Sequence, residues 1–384
     1  MAWKSVIGQE RVKDLLISSL RQNRLAHAYL FSGPGGVGKD ALAIELAKVL
    51  NCENAVFEAC DTCSNCVKFQ SLQHPNIHLI FSLPVGKNEV SGDPPLEKLT
   101  DEQISTVKEQ LALKAQNLYH DIVVPKATTI KVNSIREIRR TLSLRSFGKG
   151  KSVSIIMDAD QLNDESSNAL LKTLEEPHEN NLLILTTARP DYLLPTIVSR
   201  CQQVRFDILR NEEIQDALVR RKQLDASRAA IIAQLANGSY ARALELISTS
   251  LLELRNEAVE FLRSALHRKR EDFLQAIDNI VTGSNRPEIE QFLYLLQSWL
   301  RDTMAAREGS GRVVNIDNLD ALKKFVDHYP EIDDVAVARL IQRAISLLNK
   351  NVYIPLILLN LGIELRKLIL PKSSECNRTA RTAS

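Results

Sequence analysis

Gly33 to Asp40 read Gly-Pro-Gly-Gly-Val-Gly-Lys-Asp, and such a run commits the chain to a sharp strand-to-helix turn. Glycines there let successive backbone N–H groups curl round a phosphate, a lysine reaches the β and γ oxygens, and a Ser or Thr hydroxyl normally follows to hold Mg²⁺. Gly33, Gly35, Gly36, Gly38 and Lys39 meet that pattern, but Asp40 stands where the hydroxyl belongs. A carboxylate about 4 Å from a phosphate oxygen costs on the order of 4 kcal/mol at an effective dielectric near 20, unless a cation lies between them. ATP or ADP is therefore expected to bind weakly or not at all, and turnover is not expected. The other outcome is that Asp40 itself ligates a divalent ion.

The surrounding pattern is of alternating apolar runs and helical stretches. Ala28 to Phe31, Ile77 to Phe81, Val153 to Met157 and Leu182 to Thr187 read as short buried strands, with a helix over Asp40 to Leu50, which argues for a parallel α/β sheet. From Leu209 on, strand signals stop. Glu212 to Arg221, Ala226 to Leu235, Ala241 to Leu252, Leu254 to His267, Glu288 to Met304 and Val335 to Asn349 repeat apolar residues every three or four positions, as helices do. Asn237-Gly238-Ser239 and Thr282 to Asn285 are expected breaks. The expected domains are an α/β module at 1–208, a helical lid at 209–252, a helical C-terminal domain at 253–370 and a disordered tail at 371–384. Residues 84–129 interrupt the α/β module with Pro84, Gly86, Gly92, Pro94 and Pro95 and then a polar helical stretch; a mobile loop with one exposed helix and no chemistry is expected.

Charge bounds the partners. Across 384 residues the formal charge is +2, so the chain does not coat nucleic acid by electrostatics alone. The Met-Ala-Trp-Lys start carries no apolar signal segment, and the apolar run from Tyr353 to Leu365 is broken by Asn360 and Glu364, so no membrane contact and a cytoplasmic location are expected.

Cys52, Cys60, Cys63 and Cys66 fall in the spacing C-x₇-C-x₂-C-x₂-C. Four thiolates so placed suit a closed, structural Zn²⁺ site. An iron–sulfur cluster is the alternative, though the C-x₃-C-P continuation is missing. A nucleic-acid-reading zinc module would need a neighbouring basic helix, and none is evident. His74 and His78 read as ordinary strand-edge residues or as supports of the cysteines, Cys201 as packed or interfacial, and Trp299, Leu300, Leu293 and Leu296 as a core or interface face.

Val6-Ile7-Gly8-Gln9, His27 to Phe31, Asn168-Ala169-Leu170-Leu171-Lys172-Thr173-Leu174-Glu175-Glu176-Pro177 and Leu194 to Cys201 together closely resemble the AAA+ subunits of bacterial DNA polymerase III clamp loaders, the delta-prime type above all. The resemblance implies an AAA+ α/β module, a lid and a C-terminal oligomerisation collar. It implies assembly with delta-type and gamma/tau-type subunits into a machine that places a sliding clamp on primer-template DNA. It also aligns Met157 with a magnesium-orienting acid of the active members, Asp158 with their water-polarising acid, Ala241 with a phosphate-sensing arginine, and Thr186 and Thr187 with a sensor position. The own ATPase is then disabled, and the chain is a non-catalytic, stator-like part of a polymerase holoenzyme. Arg200, in Ser199-Arg200-Cys201, becomes an arginine finger supplied in trans to a neighbour's nucleotide. The competing reading is a catalytically active clamp-loader ATPase or another DNA-dependent AAA+ remodeller.

Overall fold

The computed structural model describes residues 3–90, 92–142, 150–177, 180–248, 251–267, 269–309, 319–350 and 352–370. They form two compact units, Met1–Glu245 and Leu246–Ser384. The first holds α1 (Glu10–Arg21), β1 (Ala28–Ser32), α2 (Lys39–Asn51), α3 (Ser64–Gln70), β2 (Ile77–Ile80), α4 (Asp101–Gln116), α5 (Val132–Leu142), β3 (Ser152–Ile156), α6 (Asp164–Glu175), β4 (Asn181–Thr187), α7 (Pro195–Val198), β5 (Gln202–Arg205), α8 (Asn211–Lys222), α9 (Ala226–Leu235) and α10 (Tyr240–Ser248), the last straddling the division.

All five strands run parallel in the order β2-β3-β4-β1-β5. Their continuous apolar runs explain this, because parallel strands are covered by helices on both faces and cannot afford polar alternation. Ala28, Leu30, Ile156 and Leu185 are buried with Ile130 and Leu170 in one core cluster. Only β5 was not legible as a strand: Gln202, Gln203 and Arg205 are exposed and Val204 alone is buried, as befits an edge. Ser32 pairs with Thr187, and Ile156 with Leu185. That register aligns the carboxyl ends of β1, β3 and β4, where open α/β sheets place their sites.

The inserted segment carries the exposed helix expected of it, α4, in which only Val107 and Lys114 are buried, but it is not a loose loop. Residues 84–129 are anchored at both ends. Near the start, the Lys131 ammonium contacts Glu89 at 2.6 Å with both side chains buried, and the Asn133 amide donates to Glu89 at 3.2 Å. Thr100 and Gln103 then form a reciprocal capping box that starts α4. Leu99, Val107, Tyr119 and Val124 are buried, and so is Lys114.

Among the described residues, the elements of the second unit are helices: α11 (Leu251–Leu266), α12 (Arg270–Gly283), α13 (Arg286–Arg307), α14 (Leu319–His328), α15 (Asp334–Asn349) and α16 (Ile354–Ile369). Asn285 caps α13 in a reciprocal box with Glu288, which fixes the break expected at Thr282 to Asn285. Phe261 and Phe292 meet edge-to-face at 5.5 Å, and Leu293, Leu296, Trp299 and Leu300 are buried around them. Gly362 lets α16 approach α12 so closely that a Cβ there would collide with the Phe273 ring. Helices α12, α14 and α16 were not read from the sequence, and no helix among the described residues is long and apolar enough to cross a membrane. The tail at 371–384, expected to be disordered, lies outside the described residues.

Candidate functional site

The phosphate loop leaves β1 at Gly33, whose N–H donates to the Thr187 carbonyl at 3.2 Å. Gly38 precedes α2 with φ of 101°, a left-handed value that only glycine adopts freely. Lys39 does not extend into open space. Its ammonium donates to the Gly33 carbonyl at 2.8 Å and the Pro34 carbonyl at 2.6 Å, so the loop's own lysine is bonded to the loop. Burial lowers its pKa, against the pull of Asp40, Asp158 and other nearby acids.

Asp40 is held from two sides. Thr186 donates its hydroxyl to Oδ1 at 2.7 Å, and the Lys114 ammonium lies 2.9 Å from Oδ2. Lys114 also donates to the His120 carbonyl at 2.8 Å. Burial works to raise the Asp40 pKa, but the charge and hydrogen bond of Lys114, the Thr186 hydroxyl and the charge of Lys39 outweigh it and hold the carboxyl below its usual range. The carboxylate also sits in the first turn of α2, where the helix dipole favours an anion. An ammonium thus stands against the carboxylate at the position where a hydroxyl would hold magnesium. Residues Asp40, Lys114 and Met157 do not fit a hard divalent cation: one acid is already paired, one group is cationic, and a buried thioether is a soft ligand.

Other parts of the loop are covered as well. The Tyr240 N–H, at the start of α10, donates to the Gly36 carbonyl at 3.0 Å. A Cβ on Gly36 would collide with Ser239 and lie 2.8 Å from the Ala241 Cβ. Gln9 donates to the Val37 carbonyl at 3.4 Å and the Asp207 carbonyl at 2.7 Å, tying the Val6 to Gln9 run to the same turn. Thr187 donates to Asp160 at 2.6 Å, and Arg189 grips the same carboxylate. A cleft of about 250 Å³ remains, lined by Lys39, Asp40, Lys114, Asp121 and Asp158 among others. Burial, then repulsion from Asp40, Asp121 and Asp160, lifts the Asp158 carboxyl to about 6. The sequence reading missed Lys114, Tyr119 and Asp121 entirely, because they lie far along the chain in a segment without a motif.

At the far end of α2 the four cysteines converge. Cys52, Cys60, Cys63 and Cys66 place their sulfurs within 4.8 Å of one another. Cys60 to Cys66 is 4.0 Å and Cys63 to Cys52 is 3.9 Å. A tetrahedral ion with bonds of about 2.3 Å requires sulfurs about 3.8 Å apart. Backbone N–H groups already point at these sulfurs: Cys60 N to Cys52 Sγ at 3.3 Å, Cys63 N to Cys60 Sγ at 3.3 Å and Cys66 N to Cys63 Sγ at 3.5 Å. Such donors stabilise thiolates and orient them. The Thr62 backbone and hydroxyl, followed by the Cys63 amide, draw the Cys60 thiol down to about 5. The set can bind a metal ion. His74 is outside it: its ring stacks on Phe69 at 4.5 Å and its Nδ1 accepts from the Asn76 N–H.

Arg200 follows the short helix α7, which Ile197 and Cys201 anchor in the interior. Its guanidinium points to the surface, 2.9 Å from Glu175 and 3.0 Å from the Thr196 carbonyl. Burial pushes the Cys201 thiol up to about 12, so it is a packed group, not a reactive one.

The fold is a parallel α/β sheet with flanking helices, and in the glycine-rich loop after β1 both Lys39 and Asp40 are bonded to the protein's own groups. The chain belongs to the family described as DNA polymerase III, delta subunit, which matches residues 8–210. DNA polymerase III subunit delta' of Bacillus subtilis is 30% identical over 271 residues, covering 70% of this chain and 69% of the relative. Subunit tau of the same organism is 27% identical over 375 residues, 91% of this chain but 57% of the relative. Among solved structures, a DNA polymerase III gamma subunit-related protein from Thermotoga maritima is similar at 14% identity and a TM-score of 0.41, over 93% of this chain and 99% of that one. The RuvB branch migration motor of the same organism aligns at 16% identity and a TM-score of 0.37, over 71% and 70% of the two chains.

Proposed function

We propose that this chain is a non-motor, stator-like subunit of the DNA polymerase III clamp loader, without an ATPase of its own. One observation carries the reading: Asp40 stands where the metal-holding hydroxyl belongs, and its carboxylate is already paired with Lys114. Its partners in this reading are delta-type and gamma/tau-type subunits, which family membership supports, and it meets the sliding clamp and primer-template DNA through the assembly. Residues 209–252 serve as the lid and 253–370 as the collar that joins the ring. Zinc at Cys52, Cys60, Cys63 and Cys66 staples the polar stretch after α2.

Arg200 acts in trans on the triphosphate held by an adjacent subunit. Its exposed pair with Glu175 supports this role, since such a pair is worth at most about 1 kcal/mol and releases the guanidinium readily. A finger in trans accelerates hydrolysis on the order of a thousandfold or more. The test is to reconstitute the loader with and without Arg200→Ala. The mutant should assemble normally, and ATP turnover by the site it faces should fall by at least about a hundredfold, allowing for residual positioning. Unchanged turnover removes the finger. Steady ATP hydrolysis by the purified chain alone removes the non-motor reading.

A further inference from the structure

The inserted segment reaches three places that a nucleotide-driven unit must be free to move. Lys114, at the end of α4, pairs with Asp40 beside the phosphate loop. Tyr119, just beyond, accepts a hydrogen bond from the Ile7 N–H at 2.8 Å, which ties down the N-terminal run before α1. Its hydroxyl also lies 2.9 Å from where a Gly38 Cβ would stand, so the ring is pressed on the loop itself. The same ring meets Tyr240, the first residue of α10, edge-to-face at 4.9 Å. Tyr240 in turn bonds the Gly36 carbonyl. At the other end, the buried Glu89–Lys131 pair and Asn133 fasten the segment to the start of α5.

We propose that residues 84–129 are an internal clasp in which the Lys114 ammonium takes the place of a magnesium ion and Tyr119 pins α10, fixing loop and α10 in one arrangement whatever the nucleotide concentration. This rests on the non-motor reading and adds its physical cause. A motor's loop changes its contacts as metal and phosphate arrive and leave. Here both roles are filled from within: Asp40 is the anion at the helix N-terminus, and Lys114 is the cation that neutralises it. A ligand has no differential contact with which to shift the unit, so it shifts nothing.

Three proteins test the clasp: wild type, Lys114→Met, and Asp40→Thr combined with Lys114→Met. Hydrogen–deuterium exchange of Lys114→Met should quicken at least tenfold across Gly36 to Leu42 and Ser239 to Glu245, with β3 unchanged. Unchanged exchange in both segments overturns the clasp. Fluorescent ADP with Mg²⁺ should bind the double variant at least tenfold more tightly than wild type, and equal affinities overturn the plug. Should Lys114→Met not fold, the double variant, in which the Asp40 carboxylate is gone as well, carries both measurements. Mg·ADP at a concentration that half-saturates the double variant should raise the melting temperature of that variant and leave the wild-type value within error, and an equal rise in both counts against the proposal. If these results fail while the purified chain alone still hydrolyses no ATP, the clasp falls and the non-motor reading stands.

Discussion

Helix α2 carries a candidate cation seat at each end, and the two have been built in opposite ways. At its N-terminus the carboxylate of Asp40 is satisfied by Thr186 and Lys114, and Lys39 is satisfied by the loop carbonyls. At its C-terminus four sulfurs face one another, with backbone N–H groups, the Asn54 amide and the Thr62 hydroxyl against them. The first seat is already neutral, so an arriving cation would have to displace an ammonium from a partly buried site. The second gathers potential negative charge, and the donors described against its sulfurs are neutral groups. Asp40 and the cysteine spacing already set the two ends apart in the sequence, and the contacts give the physical basis: affinity for an ion depends on which ligands the protein leaves unspent.

The largest effect expected from breaking this contrast lies at the cysteines. Stripping metal with a chelator, or substituting Cys63→Ser, should cost about 3 kcal/mol or more, since metal-binding energy in such a staple is folding energy. Calorimetry should show the melting temperature falling by roughly 5–10 °C, while a metallochromic dye reads one zinc per chain released. Absence of bound metal in protein purified without chelator would erase the difference between the two ends of the helix.

Next in size is the Asp40–Lys114 pair. Removing one partner of a buried pair costs about 3–5 kcal/mol, and some exposure of Asp40 lowers the expectation for Lys114→Met to about 2 kcal/mol. Asp40→Asn combined with Lys114→Met should cost less than the single Lys114→Met change, because no charge is then left stranded. Denaturant unfolding of the four members of the cycle measures the coupling. Additive costs would mean that Lys114 is a structural lysine with no special bond to the loop.

These effects also mark what the sequence made legible. The phosphate loop, the odd Asp40 and the cysteine spacing are local, with each pattern complete inside a short window. Helix α9 was readable to the residue, since Ala226 to Leu235 has both an Asp225 cap and apolar spacing. Lys114 could not be found that way. It lies 74 positions from Asp40, in a polar helix whose own pattern names no buried face. A lysine in such a helix is ordinarily solvated, and only the fold converts it into a counter-ion. The one available signal was Asp40 itself: an acid in a phosphate loop demands a cation, and the reading sought that cation in solvent instead of along the chain. The Arg200–Glu175 contact was hidden for a similar reason, being made between two motifs that each looked complete alone.

The smallest expected effect concerns Asp158, which faces the same cleft as Asp40 but is tuned the other way. Asp40 has its pKa lowered, so its contribution to stability is present at neutral pH and is lost as pH falls through the ordinary carboxylate range. Asp158 is raised to about 6 from 3.8, so the folded state holds its proton more tightly than the unfolded chain does. Stability then falls as pH rises from about 4 to about 6, and the penalty persists at pH 7. A two-unit shift corresponds to almost 3 kcal/mol, but the side chain opens to solvent, which cuts the combined cost of burial and repulsion to about 1 kcal/mol. Asp158→Asn keeps a residue that tolerates the left-handed backbone at φ of 48°. It should raise stability by about 1 kcal/mol at pH 7 and leave it unchanged at pH 4. Urea unfolding at the two pH values decides: an equal gain at both would show that the substitution acts through packing, and that the acids lining the cleft do not repel one another.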